Sequence, residues 1–205
     1  MSPFRSKATA LSSISDMDKS RPVRLEIDSE LWLELMHPAR AGELFQLIDS
    51  NRDFLRQWLP WVDQTRTLED SKPFLEASWS GYLRGEGFSL GVCYQNQLAG
   101  MIGFHAFDHA HRVTSLGYWL GEPFTGQGLM TRSLQRCLSF AFDGQNMNRA
   151  YLRIATENTP SRRLAKHLGF QHEGRQREAE WLYNHFVDLE VYSMLQREWI
   201  DLKLG

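Results

Sequence analysis

Cysteine is scarce in this sequence: its 205 residues include only Cys93 and Cys137, and no C-x-x-C pair occurs. A structural zinc site and a disulfide scaffold are therefore disfavoured, and we expect a reducing, cytoplasmic location. An excess of charge is also missing, since 23 Lys and Arg stand against 25 Asp and Glu. Nucleic-acid binders usually carry a basic excess, so no direct nucleic-acid partner is expected. No segment reaches the roughly 18 uninterrupted apolar residues of a membrane span.

Aromatic residues, in contrast, are abundant, with seven Trp and twelve Phe. They suffice for a large core and can also line a pocket. Hydrophobic residues at 42% and charged residues at 23% are typical of a globular domain. The first residues are rich in Ser and Lys and lack the apolar run of a secretory signal. We therefore predict a flexible leader over 1–21 and one domain over 22–205.

The periodicity of apolar residues predicts strands and helices in one domain. Alternation predicts two short strands within 23–36 and further strands over 87–94, 98–104, 113–120, 150–155 and from 170 to the mid-190s. Helical spacing predicts helices that begin near Pro38, Thr67, Met130 and Thr159. This order of elements indicates an α/β (α+β) fold with a mixed sheet.

The segment 117–131 contains the most informative pattern, a strand followed by a glycine-containing loop and a helix. Gly126 and Gly128 allow backbone N–H groups to converge on an anion, and a helix N-terminus adds partial positive charge. This arrangement suits a phosphate or pyrophosphate. No Gly-Lys-Ser/Thr follows, and Thr131 stands where a third glycine would complete G-x-G-x-x-G. An ordinary strand-to-helix turn is the alternative.

The segment Gly126-Gln127-Gly128-Leu129-Met130-Thr131 resembles the loop of the GNAT superfamily of acetyl-CoA-dependent N-acetyltransferases. In that family a Q/R-x-x-G-x-G/A loop grips the pyrophosphate of coenzyme A. Thr125, Gly128 and Met130 occupy its three defined positions, and two of them depart from the pattern. The loop is similar to the variant of the RimJ/RimL group, which acetylates N-termini of ribosomal proteins. The resemblance implies a mixed, mostly antiparallel sheet with helices on both faces.

A second segment, 158–170, resembles the family's N-x-x-S-x-x-L-x-x-x-L-G-F pattern, in which the Asn binds the pantetheine arm. A capped amphipathic helix ending in glycine explains the same residues, and both interpretations can hold. Segments 54–63 and 173–192 continue the resemblance, which spans about 22–199. The cofactor-binding residues that it implies are Tyr118, Trp119 and Leu120 through backbone atoms, Gly126, Gln127, Gly128, Leu129, Met130, Thr131 and Asn158.

Two catalytic residues follow from the resemblance. Glu180 matches the carboxylate that RimL-type enzymes use as a base, and its neighbours Ala179 and Trp181 could partly desolvate it. A surface glutamate is the alternative. Ser161 matches the residue that acts as an acid or hydrogen-bond donor toward the departing thiolate. Its alternative role is to cap a helix, and no Tyr lies between residues 151 and 183 to replace it.

No metal site is predicted. His105, His109 and His111 fall close together, but the default interpretation is a solvated loop. Cys137 lies on an apolar helix face and is expected in the core rather than as a nucleophile. Trp58, Trp61, Trp119 and Trp181 are expected beside the cleft, and Trp32, Trp79 and Trp199 in the core.

The resemblance implies transfer of an acetyl group from acetyl-CoA directly to a primary amine. We expect a protein N-terminal α-amine, as in the ribosomal-protein enzymes, as the acceptor. A small amine such as a polyamine, amino acid or aminoglycoside is the first alternative. A non-catalytic acyl-CoA-binding module is the second. A homodimer is possible, because family members often form dimers.

Overall fold

The computed structural model of this chain describes residues 23–204, built on one mixed sheet of eight strands. The strands are β1 (Arg24–Glu26), β2 (Leu31–Leu35), β3 (Phe88–Tyr94), β4 (Gln97–Asp108), β5 (Val113–Leu120), β6 (Arg149–Ala155), β7 (Gln171–Leu182) and β8 (His185–Leu195). The α-helices are α1 (Ala41–Ser50), α2 (Arg52–Arg56), α3 (Leu68–Arg84), α4 (Leu129–Ser139), α5 (Thr159–His167) and α6 (Gln196–Leu204). The predicted leader lies outside the described residues.

The strands lie in the order β1-β2-β3-β4-β5-β6-β8-β7. Every neighbouring pair is antiparallel except β5 and β6, which run parallel. That parallel ladder is short, joining Val113–Ser115 to Arg149–Tyr151. Beyond Ser115 and Tyr151 the two strands no longer pair, so the sheet opens between them.

Helices cover both faces of the sheet, which confirms the predicted fold class. On one face, α4 contributes Leu134 and Leu138 to a core shared with the strands. On the other face, Leu44 and Ile48 of α1 and Leu75 of α3 pack against the sheet. Burial of these apolar stripes is the main stabilising contribution to such a layered fold.

Several boundaries differ from the sequence-based prediction. The helix predicted from Pro38 is interrupted: a 3₁₀ turn at Pro38–Arg40 precedes α1, and α2 begins after Asn51. Asn51 has φ −123° and ψ 18°, outside the helical region, because its side chain is recruited by another loop, as described below. The C-terminal helix α6 was not predicted. Across residues 23–204, no helix is long and apolar enough to cross a membrane.

Both cysteines are buried, and neither forms a disulfide within residues 23–204. Cys93 is 2% and Cys137 0% exposed. Burial raises the pKa of each thiol, so neither is a reactive thiolate near neutral pH. Cys137 packs in the core, which confirms its predicted structural role.

Candidate active site

The glycine loop, residues 125–128 after β5, adopts a backbone conformation that requires its glycines. Gly126 has φ 72° and Gly128 φ 71°, both in the left-handed region. A Cβ at either position would meet nothing within 4 Å, so conformation rather than crowding calls for glycine. Gly128 is the N-cap of α4, and its carbonyl accepts from the N–H of Arg132. The N–H groups of 129–131 therefore have no partner within the helix and can bind an anion.

A buried asparagine holds the segment between β5 and this loop in place. The Oδ1 of Asn51 accepts from the N–H of Glu122 at 2.8 Å, and its Nδ2 donates to the Leu47 carbonyl at 2.8 Å. Gly121 allows this approach, since a Cβ there would lie 3.1 Å from Asn51 Nδ2. Sequence reasoning missed Asn51, because no motif surrounds it and its partner lies 71 positions away.

The opening between β5 and β6 forms a passage through the sheet. Tyr118, Trp119 and Leu120 all lie on β5 beyond the last residue paired with β6. Successive strand residues point to opposite faces. Tyr118 accordingly packs on the α4 face and Trp119 on the α1 face. One cleft is lined by both residues and therefore reaches both faces of the sheet.

Ser161 and Tyr118 are joined across this opening. The Ser161 Oγ lies 2.7 Å from the Tyr118 hydroxyl. The helix cap comes from Asn158, whose Oδ1 accepts from the Ser161 N–H at 3.2 Å. The capping role considered for the Ser161 hydroxyl therefore falls to Asn158. Loss of hydration raises the pKa of Tyr118 to about 12, and the hydrogen bond to Ser161 opposes that rise.

Glu180 lies near the end of β7 and lines the same cleft. Loss of hydration raises the pKa of its carboxyl group, and Arg153 on β6 partly opposes the shift. The raised pKa agrees with the sequence-based expectation that Glu180 is partly desolvated. Glu180 lines the cleft, whereas its neighbours Ala179 and Trp181 are both exposed.

His105 lies in a strand and not in the predicted loop. It lies within β4 at a register shift against β5, between Phe104 and Ala106. Its ring covers Gly117, where a Cβ would come within 2.6 Å of the His105 Nε2. Loss of hydration and then Arg153 lower the pKa of His105. A glycine inside a strand signals such close approach, so Gly117 could have pointed to this contact.

His109 and His111 lie apart from His105, in the turn after β4. The His109 ring nitrogen Nε2 is 3.3 Å from the Gly85 carbonyl oxygen. Among residues 23–204, no group of three or more His, Cys, Asp or Glu side chains is placed to hold a metal ion.

The tryptophan loop, residues 57–61, borders the cleft on the α1 face. The rings of Trp61 and Trp119 lie 5.9 Å apart in a tilted contact. The turn between β7 and β8 anchors the loop, since the Tyr183 hydroxyl donates to the Leu59 carbonyl at 2.5 Å. The Arg56 guanidinium stacks 3.9 Å from the centre of the Tyr183 ring. These contacts couple the loop to the hairpin that carries Glu180.

Trp181 does not line the cleft, and its predicted place there is wrong. Its side chain is 51% exposed and packs edge-to-face on Phe186 at 4.7 Å. Strand alternation explains the difference, because Trp181 follows Glu180 and points away from the face that Glu180 occupies.

The cleft has a volume of about 1340 Å³. It brings together every predicted catalytic and cofactor-binding residue except Gln127, whose side chain donates to the Pro123 carbonyl at 2.8 Å. The predicted residues that line it are Tyr118, Trp119, Leu120, Gly126, Gly128, Leu129, Met130, Thr131, Asn158, Ser161 and Glu180.

Residues 30–171 match the sequence profile of the family described as Acetyltransferase (GNAT) domain. The chain is 25% identical over 171 residues to the ribosomal-protein-serine acetyltransferase of Escherichia coli (strain K12). That alignment covers 83% of this chain and 96% of the relative.

Solved structures that are similar to most of this chain include two enzymes with bound coenzyme A or acetyl-CoA. RimL, a ribosomal L7/L12 alpha-N-protein acetyltransferase in complex with coenzyme A, matches with a TM-score of 0.80 and 26% identity, over 84% of this chain and 98% of that one. The microcin C7 self immunity acetyltransferase MccE, in complex with acetyl-CoA and AMP, also has a TM-score of 0.80, with 27% identity over 82% of this chain and 94% of that one.

Proposed function

The chain belongs to the GNAT acetyltransferase family, and on this premise we propose that it transfers the acetyl group of acetyl-CoA to the α-amine of a protein N-terminus. The observation that carries the proposal is the convergence of the glycine loop, Ser161 and Glu180 on one cleft. A pyrophosphate-binding backbone, a donor for a thiolate and a carboxylate base are the groups that acetyl transfer from a thioester to an amine requires.

The fit to acetyl-CoA as donor is supported by backbone chemistry. The left-handed glycines and the free N–H groups at the start of α4 suit a pyrophosphate without any lysine or arginine. This explains how a chain of formal net charge −2 can bind a polyanionic donor. The unpaired edge of β5 suits the amide groups of a pantetheine arm.

Glu180 would remove the proton of the acceptor amine. An α-amine has a pKa of about 7.7–8.0 and a lysine side chain about 10.4. Deprotonation of an α-ammonium group at neutral pH therefore costs about 3.4 kcal/mol less than deprotonation of a lysine side chain. A single carboxylate with a raised pKa, such as Glu180, is a sufficient base for it. As the amine attacks, a backbone N–H of residues 118–120 would polarise the thioester carbonyl, and Ser161 would donate to the departing sulfur.

The protein N-terminus is favoured as acceptor by the RimL and ribosomal-protein-serine relatives, whose names state such acceptors. The match to MccE, a microcin C7 self immunity acetyltransferase, has the same TM-score, and a small amine is the second candidate acceptor. The aromatic side chains of the tryptophan loop could contact either acceptor.

A thiol-release assay on the intact protein tests the proposal. It compares N-terminal peptides of ribosomal proteins with a polyamine and an aminoglycoside at equal concentration. We expect the highest kcat/KM with a peptide that has a free α-amine, and none with the same peptide N-terminally blocked. Faster turnover of a small amine would select the second candidate. Acetyl-CoA binding without turnover of any acceptor would indicate a non-catalytic module.

A further inference from the structure

The hydrogen bond between Tyr118 and Ser161 bridges the opening in the sheet. Tyr118 lies on β5, and Ser161 lies in the first turn of α5, which follows β6. Their oxygens are 2.7 Å apart, a normal length for a bond between two hydroxyls. Both residues line the cleft. One of the two hydroxyl protons lies between the oxygens. The other is therefore available to a ligand that occupies the opening.

The chemistry of the two hydroxyls decides the direction of the bond. Either oxygen can donate, but a phenol is a much stronger acid than an aliphatic alcohol and is the better donor. Loss of hydration raises the pKa of Tyr118 to about 12, so the phenol keeps its proton throughout the physiological range. Ser161 Oγ is then the acceptor, and its own proton remains available for a second partner.

We propose that Tyr118 is a positioning residue that donates to Ser161 Oγ and thereby directs the Ser161 proton toward the sulfur of coenzyme A. The inference rests on the proposed function, because it deepens the role of Ser161 in that reaction. A hydroxyl that accepts one hydrogen bond becomes a stronger donor in the next. Tyr118 thus orients and strengthens the donor that contacts the leaving group.

The step balances without loss of a proton from either hydroxyl. The amine nitrogen bonds to the acetyl carbon, its extra proton goes to Glu180, and the C–S bond breaks with its electron pair moving to sulfur. A cysteine thiol has a pKa of about 8.5, and the alkyl thiol of coenzyme A is likewise a stronger acid than Tyr118, so proton transfer from Tyr118 to the thiolate would be unfavourable. Tyr118 and Ser161 therefore stabilise the thiolate by hydrogen bonding, and the thiolate takes its proton from water after release.

A double-mutant cycle tests this link. We expect Tyr118→Phe to lower kcat about fivefold, and Ser161→Ala to lower it by at least as much. In the Ser161→Ala background, Tyr118→Phe should have no further effect. A role of the phenol that does not pass through Ser161 would lower kcat equally in both backgrounds, and that additive result would overturn the proposal. Tyr151→Phe removes the same atom from β6 outside the cleft and serves as control.

A binding measurement makes the test independent of the acceptor. At a pH above the pKa of the coenzyme A thiol, where that thiol is largely ionised, the wild-type protein should bind coenzyme A about tenfold more tightly than desulfo-coenzyme A. Ser161→Ala should abolish this preference, and Tyr118→Phe should reduce it a few-fold. An unchanged preference in Tyr118→Phe would contradict the inference. Failure of every acceptor in the thiol-release assay would overturn the proposed function but leave this measurement valid.

Discussion

The glycine loop and the tryptophan loop border the same cleft but are built in different ways. The glycine loop depends on backbone torsion angles: Gly126 and Gly128 have positive φ, and their missing side chains contact nothing. The tryptophan loop depends on side chains from distant segments, through the Trp61–Trp119 contact and the hydrogen bond of Tyr183 to Leu59. A binding site made of backbone atoms can be predicted from a short sequence motif. A binding site assembled from side chains of distant segments cannot.

The largest effect should come from the base, which belongs to neither loop. Glu180→Gln should lower kcat by about 10²–10⁴-fold while leaving the Kd of acetyl-CoA nearly unchanged. Because the pKa of Glu180 is raised, the carboxyl becomes protonated as pH falls, and wild-type kcat/KM should fall on the acid side. The variant should lose this limb of the pH profile. Glu178→Gln, on the same strand but outside the cleft, is the control. Wild-type turnover in Glu180→Gln would remove Glu180 from the mechanism.

Backbone strain introduced into the glycine loop by a substitution should weaken acetyl-CoA binding, whereas the same strain elsewhere should lower only the stability of the fold. Gly128→Val places a β-branched residue at φ 71°, which costs about 1–2 kcal/mol. We expect the Kd of acetyl-CoA, measured by calorimetry, to rise about 5–30-fold. Gly85→Val imposes the same strain at φ 74° at the end of α3, outside the cleft, and should reduce stability alone. Equal acetyl-CoA affinity in both variants would contradict the assignment of the loop.

Truncation in the tryptophan loop should affect the acceptor. Trp61→Ala removes the ring contact with Trp119, and we expect the KM of the acceptor to rise up to about tenfold. The Kd of acetyl-CoA should change much less. Trp181→Ala removes an equally large ring from the exposed β7–β8 surface and should alter neither constant. A reversed pattern, with the donor Kd affected and the acceptor KM unchanged, would assign the tryptophan loop to the donor.

The smallest effect should come from the anchor of the tryptophan loop. Tyr183→Phe deletes the hydrogen bond to the Leu59 carbonyl but keeps the ring under Arg56. We expect a loss of about 1 kcal/mol in the free energy of unfolding and a two- to threefold rise in acceptor KM. Denaturant titration and steady-state kinetics measure the two quantities. An unchanged KM would show that the loop keeps its position without this bond.

Local patterns account for what was predictable from the sequence. The fold class, the strands β3 and β4 and the start of α3 near Thr67 follow from the periodicity of apolar residues, and all are present. The glycine loop and the segment with Asn158 and Ser161 follow from contiguous motifs, and both line the cleft. Only the structure shows that Asn158 caps α5 while the Ser161 hydroxyl contacts Tyr118.

The missed features depend on contacts between distant residues. Asn51 interrupts a helix that periodicity predicts as continuous, because its side chain is hydrogen-bonded to Glu122. His105 reaches the cleft through a shift of register in β4 and the space above Gly117. The hydroxyl of Tyr118 meets Ser161 only because β5 and β6 diverge. Tertiary contacts override local propensity at each of these positions.

A titration of the ¹⁵N-labelled protein with coenzyme A, followed through its backbone amide resonances, tests the central claim most directly. If backbone N–H groups bind the pyrophosphate, the amides of Gly126, Gly128 and residues 129–131 should shift with a common saturation curve. The amides of the tryptophan loop should shift much less. Unchanged resonances at 126–131 while coenzyme A binds would contradict the claim that the glycine loop holds the donor.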